Sequence, residues 1–95
     1  MSDPTLLVLA SLAEGDKHGY AIQQDILGFA GQRLGPGTLY GAITRLEERG
    51  WIRGLEADDR RRPYRITTAG RAYLEEHIAA LDKLVRTAMG RLRHA

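Results

Sequence analysis

The hydrophobic period changes twice along this chain, and the two changes limit the folds open to it. Apolar residues recur at three- and four-residue steps as far as Leu46. After Gly50 they take turns with arginine to about Thr67, and from Leu74 they return to three- and four-residue spacing. The first pattern belongs to helices with one buried face, the second to strands with one buried face. The chain therefore reads as helices, a short β-hairpin, and one more helix.

The elements follow from local signals. Asp3-Pro4 is a helix start, because aspartate accepts from free first-turn amides and proline fits the first helical position. Leu6, Leu9, Ala10 and Ala13 are the expected buried stripe, ending near Glu14-Gly15. His18-Gly19-Tyr20 opens a second helix with the stripe Ile22, Ile26 and Phe29, and Gly28 and Gly31 bring it to a close. Gly19 is expected to admit another backbone closely, and Tyr20 to bury its ring while keeping its hydroxyl at the surface. After the connection Ala30-Gly31-Gln32-Arg33-Leu34, Gly35-Pro36 starts a third helix that runs to Arg49, with Gly50 as its left-handed cap.

In the third helix Leu39, Ile43 and Leu46 share one face, leaving Thr38, Tyr40, Gly41, Thr44, Arg45 and Glu48 on the other. Small residues, hydroxyls and one arginine suit a helix laid in a DNA groove. They equally suit an ordinary solvated helix. Because Pro36 has no amide hydrogen, the free N–H groups of Gly37 and Thr38 lie at the positive end of the helix dipole and are offered to a phosphate. The Gly-x-Gly-Thr run lacks the Lys-Ser/Thr ending of a nucleotide-binding P-loop.

Trp51–Leu55 and Pro63–Thr67 are the alternating strands, joined by a charged tip from Glu56 to Arg62. Three helices and a hairpin make a winged helix-turn-helix. Thr67 then caps a helix from Thr68 to Arg93, ~39 Å long at 1.5 Å per residue. Its apolar positions Leu74, Ile78, Leu81, Val85, Ala88 and Leu92 step by four and three, the spacing of a coiled-coil seam. A domain this small does not need so long a helix for its own core, so the seam points to pairing with a second copy about a two-fold axis. The expected fold class is mainly α with a small β-hairpin: residues 1–67 form the winged helix-turn-helix and residues 68–95 the dimerisation helix, in one continuous folding unit.

Composition narrows the function. A chain of 95 residues carries one modest core, to which a partner subunit would add burial. There is no cysteine, which removes disulfides and thiol chemistry. The start Met1-Ser2-Asp3-Pro4 has no positive region, and Leu6-Leu7-Val8-Leu9-Ala10 is far too short to span a bilayer, so a soluble cytoplasmic protein without a membrane partner is expected. Histidines 18, 77 and 94 show no ligand spacing. No catalytic residue, cofactor or metal is expected, and His18 is read as structural or capping.

The net charge is only +2, yet eight of the fourteen basic residues fall between positions 45 and 71, and all eight are arginine: Arg45, Arg49, Arg53, Arg60, Arg61, Arg62, Arg65 and Arg71. Arginine's planar fork pairs with phosphate in two hydrogen bonds, and a wing tip carrying Arg60, Arg61 and Arg62 is placed to reach a DNA backbone or minor groove. The alternative is a solvated charged face balanced by Glu47, Glu48, Glu56, Asp58 and Asp59.

The succession His18-Gly19-Tyr20, Pro36-Gly37-Thr38-Leu39-Tyr40, Arg45-Leu46-Glu47-Glu48 with Gly50 and Ile52, Arg60-Arg61-Arg62 before Tyr64-Arg65-Ile66-Thr67, and Ala69-Gly70 resembles the PadR-like transcriptional regulators. The single C-terminal helix is similar to that of the family's small subgroup. The resemblance implies a homodimeric bacterial repressor whose Pro-Gly-Thr-Leu-Tyr helix enters the major groove. It implies that Thr38, Tyr40, Thr44 and Arg45 face DNA with Tyr20 at the edge, and that Arg60 to Arg62 serve the wing. It also implies a small-molecule effector, since dimer grooves in the family admit flat apolar compounds.

Three positions depart from the family pattern: Gly35 stands where serine is frequent, Gly41 where a larger residue is common, and Trp51 where an aliphatic residue is usual. Trp51 is expected to face the core or the dimer. The expected activity is sequence-specific binding of a palindromic operator, with half-sites ~34 Å apart. The rival is a winged-helix module that binds another protein and not DNA, a reading favoured by the low net charge and by Asp58-Asp59 in the wing.

Overall fold

The computed structural model describes residues 3–94; Met1, Ser2 and Ala95, at the ends of the two expected segments, lie outside the described residues. The order is α1 (Pro4–Leu12), β1 (Lys17–His18), α2 (Gly19–Ala30), α3 (Pro36–Glu48), β2 (Ile52–Gly54), β3 (Pro63–Ile66) and α4 (Thr68–Arg93). A mainly helical winged helix with a small antiparallel sheet and a long last helix is what the hydrophobic periods predict.

α1 is the centre of the core. The Asp3 carboxylate accepts from the Thr5 amide at 2.9 Å and caps it. Leu7, Val8, Leu9, Ser11 and Leu12 are all buried, whereas Ala10 is exposed. Of the expected stripe, Leu9 is fully buried and Leu6 and Ala13 pack partly buried against the core, whereas Ala10 does not belong to it, and Leu7, Val8 and Leu12 were missed. A helix covered on several sides has no single apolar face, and periodicity cannot locate one. The helix also ends at Leu12, short of Glu14. Buried Ser11 avoids a desolvation cost because its hydroxyl donates to Asp25 at 2.7 Å.

α2 adds Ile22 and Ile26 to the core and closes on Gly31, whose φ of +63° is the left-handed cap. Gly28 stays helical, and Phe29 is 52% exposed. Although Phe29 continues the Ile22–Ile26 face, the last turn, Gly28 to Ala30, is exposed throughout. Leu34, from the following loop, is in the core instead.

α3 buries Leu39, Ala42, Ile43 and Leu46. It ends in two hydrogen bonds, Trp51 N–H to Leu46 O and Gly50 N–H to Glu47 O, both 3.0 Å. With φ of +75° at Gly50, this is the Schellman arrangement that turns the chain out of a helix.

The sheet has three strands in the order β1-β3-β2, not the two of a simple hairpin. β1 pairs Lys17 with Tyr64 and His18 with Pro63; two polar residues carry no alternation, so nothing in the pattern announced it. Between β2 and β3 the register sets Ile52 opposite Ile66 and Arg53 opposite Arg65. Ile52, Tyr64 and Ile66 face inward. The wing tip is tighter than the expected seven-residue loop: Asp58 and Arg61 exchange two backbone hydrogen bonds of 2.8 Å around the turn residues Asp59 and Arg60, at φ +48° and +72°.

α4 spans the expected residues. Thr67 caps it by accepting from Gly70 N–H at 3.0 Å, and donates its hydroxyl hydrogen to Gly50 O at 2.6 Å, tying the helix start to the end of α3. Leu74 is buried, but Ile78, Leu81, Val85, Ala88 and Leu92 are exposed, with Leu84 and Met89 exposed beside them. The radius of gyration, 15.0 Å, exceeds the roughly 12.4 Å of a compact domain of this length, because most of α4 projects from the core.

Candidate nucleic-acid interface

At ~100° per residue along α3, the buried residues leave three outward lines. Gly37, Gly41, Thr44 and Glu48 form the crest, Tyr40 and Glu47 lie toward the wing, and Thr38 and Arg45 lie on the opposite flank. No side chain caps α3 at Gly35, so the first-turn amides of Gly37 and Thr38 have no intrahelical partner. Thr44 donates its hydroxyl hydrogen back to Tyr40 O at 2.9 Å, which leaves the oxygen to accept. Arg45 lies near Gly41: a β-carbon at position 41 would be 3.6 Å from its Nη1.

On the wing side a concave surface of about 300 Å³ is lined by His18, Gly19, Tyr20, Tyr40, Arg60, Arg61, Arg62 and Tyr64. Five expected interface residues therefore share one cleft. Tyr20 and Tyr40 are 63% and 48% exposed, so both phenols reach solvent. Tyr20 does not bury its ring as expected. Tyr64 lies behind them; burial holds its phenol above the ordinary tyrosine range, with Glu47 and Tyr40 adding. Its hydroxyl stays a proton donor at neutral pH.

The wing arginines are not spent on internal ion pairs. Among the described residues, no carboxylate lies within salt-bridge distance of Arg60, Arg61 or Arg62. Asp58 and Asp59, which favoured a wing turned toward protein, form no ion pair with them. Arg62 donates one bond to Leu55 O at 2.9 Å and lies across Gly54. Arg61 Nη1 is 3.4 Å from His18 Nε2. By contrast, Arg65, on β3 three residues beyond Arg62, is held by Asp16 in a two-pronged pair, Nε to Oδ1 at 3.0 Å and Nη2 to Oδ2 at 2.7 Å. Asp16 also answers the unfavourable Arg53–Arg65 pair across the strands. The cluster of eight arginines thus divides into structural and free members, a division that spacing does not reveal.

Arg45 faces a separate cleft with Asp3, Thr5, Leu46, Arg49, Trp51 and Tyr73. Trp51 stacks on Tyr73 with ring centroids 3.7 Å apart and planes at 17°, and the Arg49 guanidinium lies 5.2 Å from the indole. Trp51 is partly buried against the core and fastens α4 to the end of α3. His18 was missed as a member of the wing-side cleft because β1, which brings it beside the wing, has no sequence signal. No helix among the described residues is long and apolar enough to cross a membrane.

Known proteins match this arrangement. Residues 8–76 match the transcriptional regulator PadR-like family. Transcriptional regulator Rv3488 of Mycobacterium tuberculosis is 40% identical over 92 residues, covering 94% of this chain and 85% of that protein. An uncharacterized 37.1 kDa protein in transposon TN4556 of Streptomyces fradiae is 47% identical over 83 residues, which cover 87% of this chain but only 24% of that longer protein. The crystal structure of a PadR family transcription regulator from Clostridium difficile R20291 has the same fold, with a TM-score of 0.82 over 96% of this chain and 98% of that one, at 22% identity.

Proposed function

This chain belongs to the transcriptional regulator PadR-like family, and from that premise we propose that it is a homodimeric, sequence-specific DNA-binding repressor. The observation that carries the reading is the convergence of Tyr20, Tyr40, Arg60, Arg61 and Arg62 on one concave face whose arginines have no carboxylate partner. Phosphates supply the missing anions. Contacts from the wing and from the Gly37 and Thr38 amides position the duplex, while Tyr40, Thr44, Arg45 and Thr38 face base edges in the major groove.

Dimerisation is supported by the far half of α4. Ile78, Leu81, Leu84, Val85, Met89 and Leu92 form an exposed apolar band on one helix, too large to leave in water on a small domain. A two-fold pairing of this band would present two recognition helices to a palindromic operator, with half-sites ~34 Å apart. A flat apolar effector that releases the repressor would enter beside the same band, where Leu6, Leu7, Ala10, Leu74, Ile78 and Leu81 line a groove of about 410 Å³.

The test is selection of bound sites from random duplex DNA by the purified protein. A palindromic consensus with two half-sites one helical turn apart is the expected result. Failure to enrich any sequence, with binding insensitive to salt or absent, would turn the reading toward a module that pairs with protein.

A further inference from the structure

His18 caps α2 with one ring nitrogen and meets the wing with the other. Its Nδ1 accepts from the Ala21 amide at 3.4 Å, while its Nε2 stands 3.4 Å from Arg61 Nη1. A neutral imidazole accepts at one nitrogen only, so the ring can accept from Ala21 or from Arg61 but not from both; with Nδ1 serving the α2 cap, the hydrogen is on Nε2. Arg61 has donors only. Two donors facing each other across 3.4 Å form no bond between themselves; they are matched by one acceptor placed between or in front of them. Asp58 and Asp59 share a shallow depression with His18, Arg61 and Pro63, and neither reaches salt-bridge distance of Arg61.

We infer that His18 Nε2–H and the Arg61 guanidinium together bind one phosphate of the DNA backbone at the mouth of the wing-side cleft. This rests on the DNA-binding reading above and extends it: His18, whose sequence suggested only a cap, becomes the second donor of that phosphate site. The α2 cap orients the ring, so the cap and the contact are one device. The Ala21 amide fixes which nitrogen is protonated, and the protonated nitrogen is the one that faces the wing. Because a phosphate is common to every sequence, His18 adds affinity without discrimination.

His18→Asn separates the two roles, since asparagine is among the strongest helix caps but is too short to reach the phosphate beside Arg61. Binding is read by fluorescence anisotropy on a random-sequence duplex of about 30 base pairs, three helical turns, at low salt. The variant is expected to melt with the wild type and to bind about ten- to a hundredfold more weakly, the loss of one hydrogen bond to a charged acceptor. In an Arg61→Ala background the same change should cost little more, because the two side chains share one phosphate. A second readout is independent of stability: in the ¹⁵N imidazole spectrum, the His18 Nε2–H signal should move on addition of duplex while Nδ1 stays unprotonated. Wild-type binding by His18→Asn with weakened Arg61→Ala, or an unmoved Nε2 signal, would overturn the shared site and leave DNA binding intact. If Arg61→Ala and an Arg60, Arg61, Arg62 triple alanine variant also bind as wild type, the DNA-binding reading of this face fails as well.

Discussion

The Tyr40 phenol lies against the Cα of Gly19, so close that a β-carbon at position 19 would stand 2.8 Å from the ring Cζ. The close approach expected at Gly19 is therefore made by a side chain of α3, not by another backbone. It joins the start of α2 to the first half of α3. Tyr40 can swing away, because the colliding atoms are at the far end of a rotatable side chain. Gly19→Ala is accordingly expected to change stability by less than about 1 kcal/mol, since alanine also favours the helix. Binding to DNA should weaken severalfold as Tyr40 leaves its place. Thermal melting beside duplex titration checks this, and equal binding would show that Tyr40 has no fixed role.

Gly70 presents the opposite case. A β-carbon there would meet the Trp51 carbonyl, with its carbon 2.9 Å away, and a backbone group cannot rotate aside. Gly70→Ala should destabilise the protein by about 1–3 kcal/mol through overpacking, by lifting α4 off the end of α3. Denaturant unfolding is the measurement. A midpoint unchanged from wild type would mean that α4 is not held against the Trp51 carbonyl.

At the wing tip Asp59 and Arg60 both adopt positive φ, a conformation suited to Asn-Gly and costly for arginine. Arg60→Gly should raise stability by up to about 1 kcal/mol. If Arg60 faces a phosphate, as proposed, the same change removes that charge, so the slope of log affinity against log salt should fall by about one unit. Stability and binding moving in opposite directions is the expected signature.

The Asp16–Arg65 pair predicts acid sensitivity. Hydrogen bonds from Arg65 hold the Asp16 carboxyl below its ordinary range, outweighing the opposing desolvation, with the charges of Arg65 and Arg53 adding. A carboxyl whose pKa is lower in the folded state stabilises fully above its unfolded value, about 3.9, and loses that contribution as pH falls through the folded value. Asp16→Asn should therefore melt below wild type at neutral pH, and the two curves should converge in the acid range below about pH 4. A gap that persists there would place the effect outside ionisation.

Val85→Glu puts a charge in the middle of the exposed α4 band. If the band pairs two copies, the variant should sediment as a monomer, lose the concentration dependence of its melting temperature, and bind operator DNA with much lower affinity because only one half-site is engaged at a time. Unchanged sedimentation would assign the band to another partner.

Local signals in the residues were sufficient for the helices, their caps and the wing. As caps, Asp3, His18, Thr67, Gly31 and Gly50 each act on groups no more than a few residues away, and the bounds of α4 follow from one cap and one repeating step. The order of these elements, with the Pro36–Tyr40 segment opening α3, also carried the family. Burial was legible where a helix has one covered face, as in α3. It held only in part for α1, covered on several sides, where Ala10 is exposed, and failed for Phe29, whose face is apolar but whose turn lies beyond the core. Everything made by distant residues came from the packing: Lys17 and His18 joining β3, Asp16 reaching 49 residues along the chain to hold Arg65, Trp51 meeting Tyr73, and Tyr40 resting on Gly19. Such contacts depend on where whole elements are set relative to one another, and that is settled by the shared core, not by any short run of residues. For that reason the chain alone reveals an arginine-rich wing, while which arginines are free to meet phosphate, and that His18 stands beside them, emerges when β1, α2 and the wing are brought together.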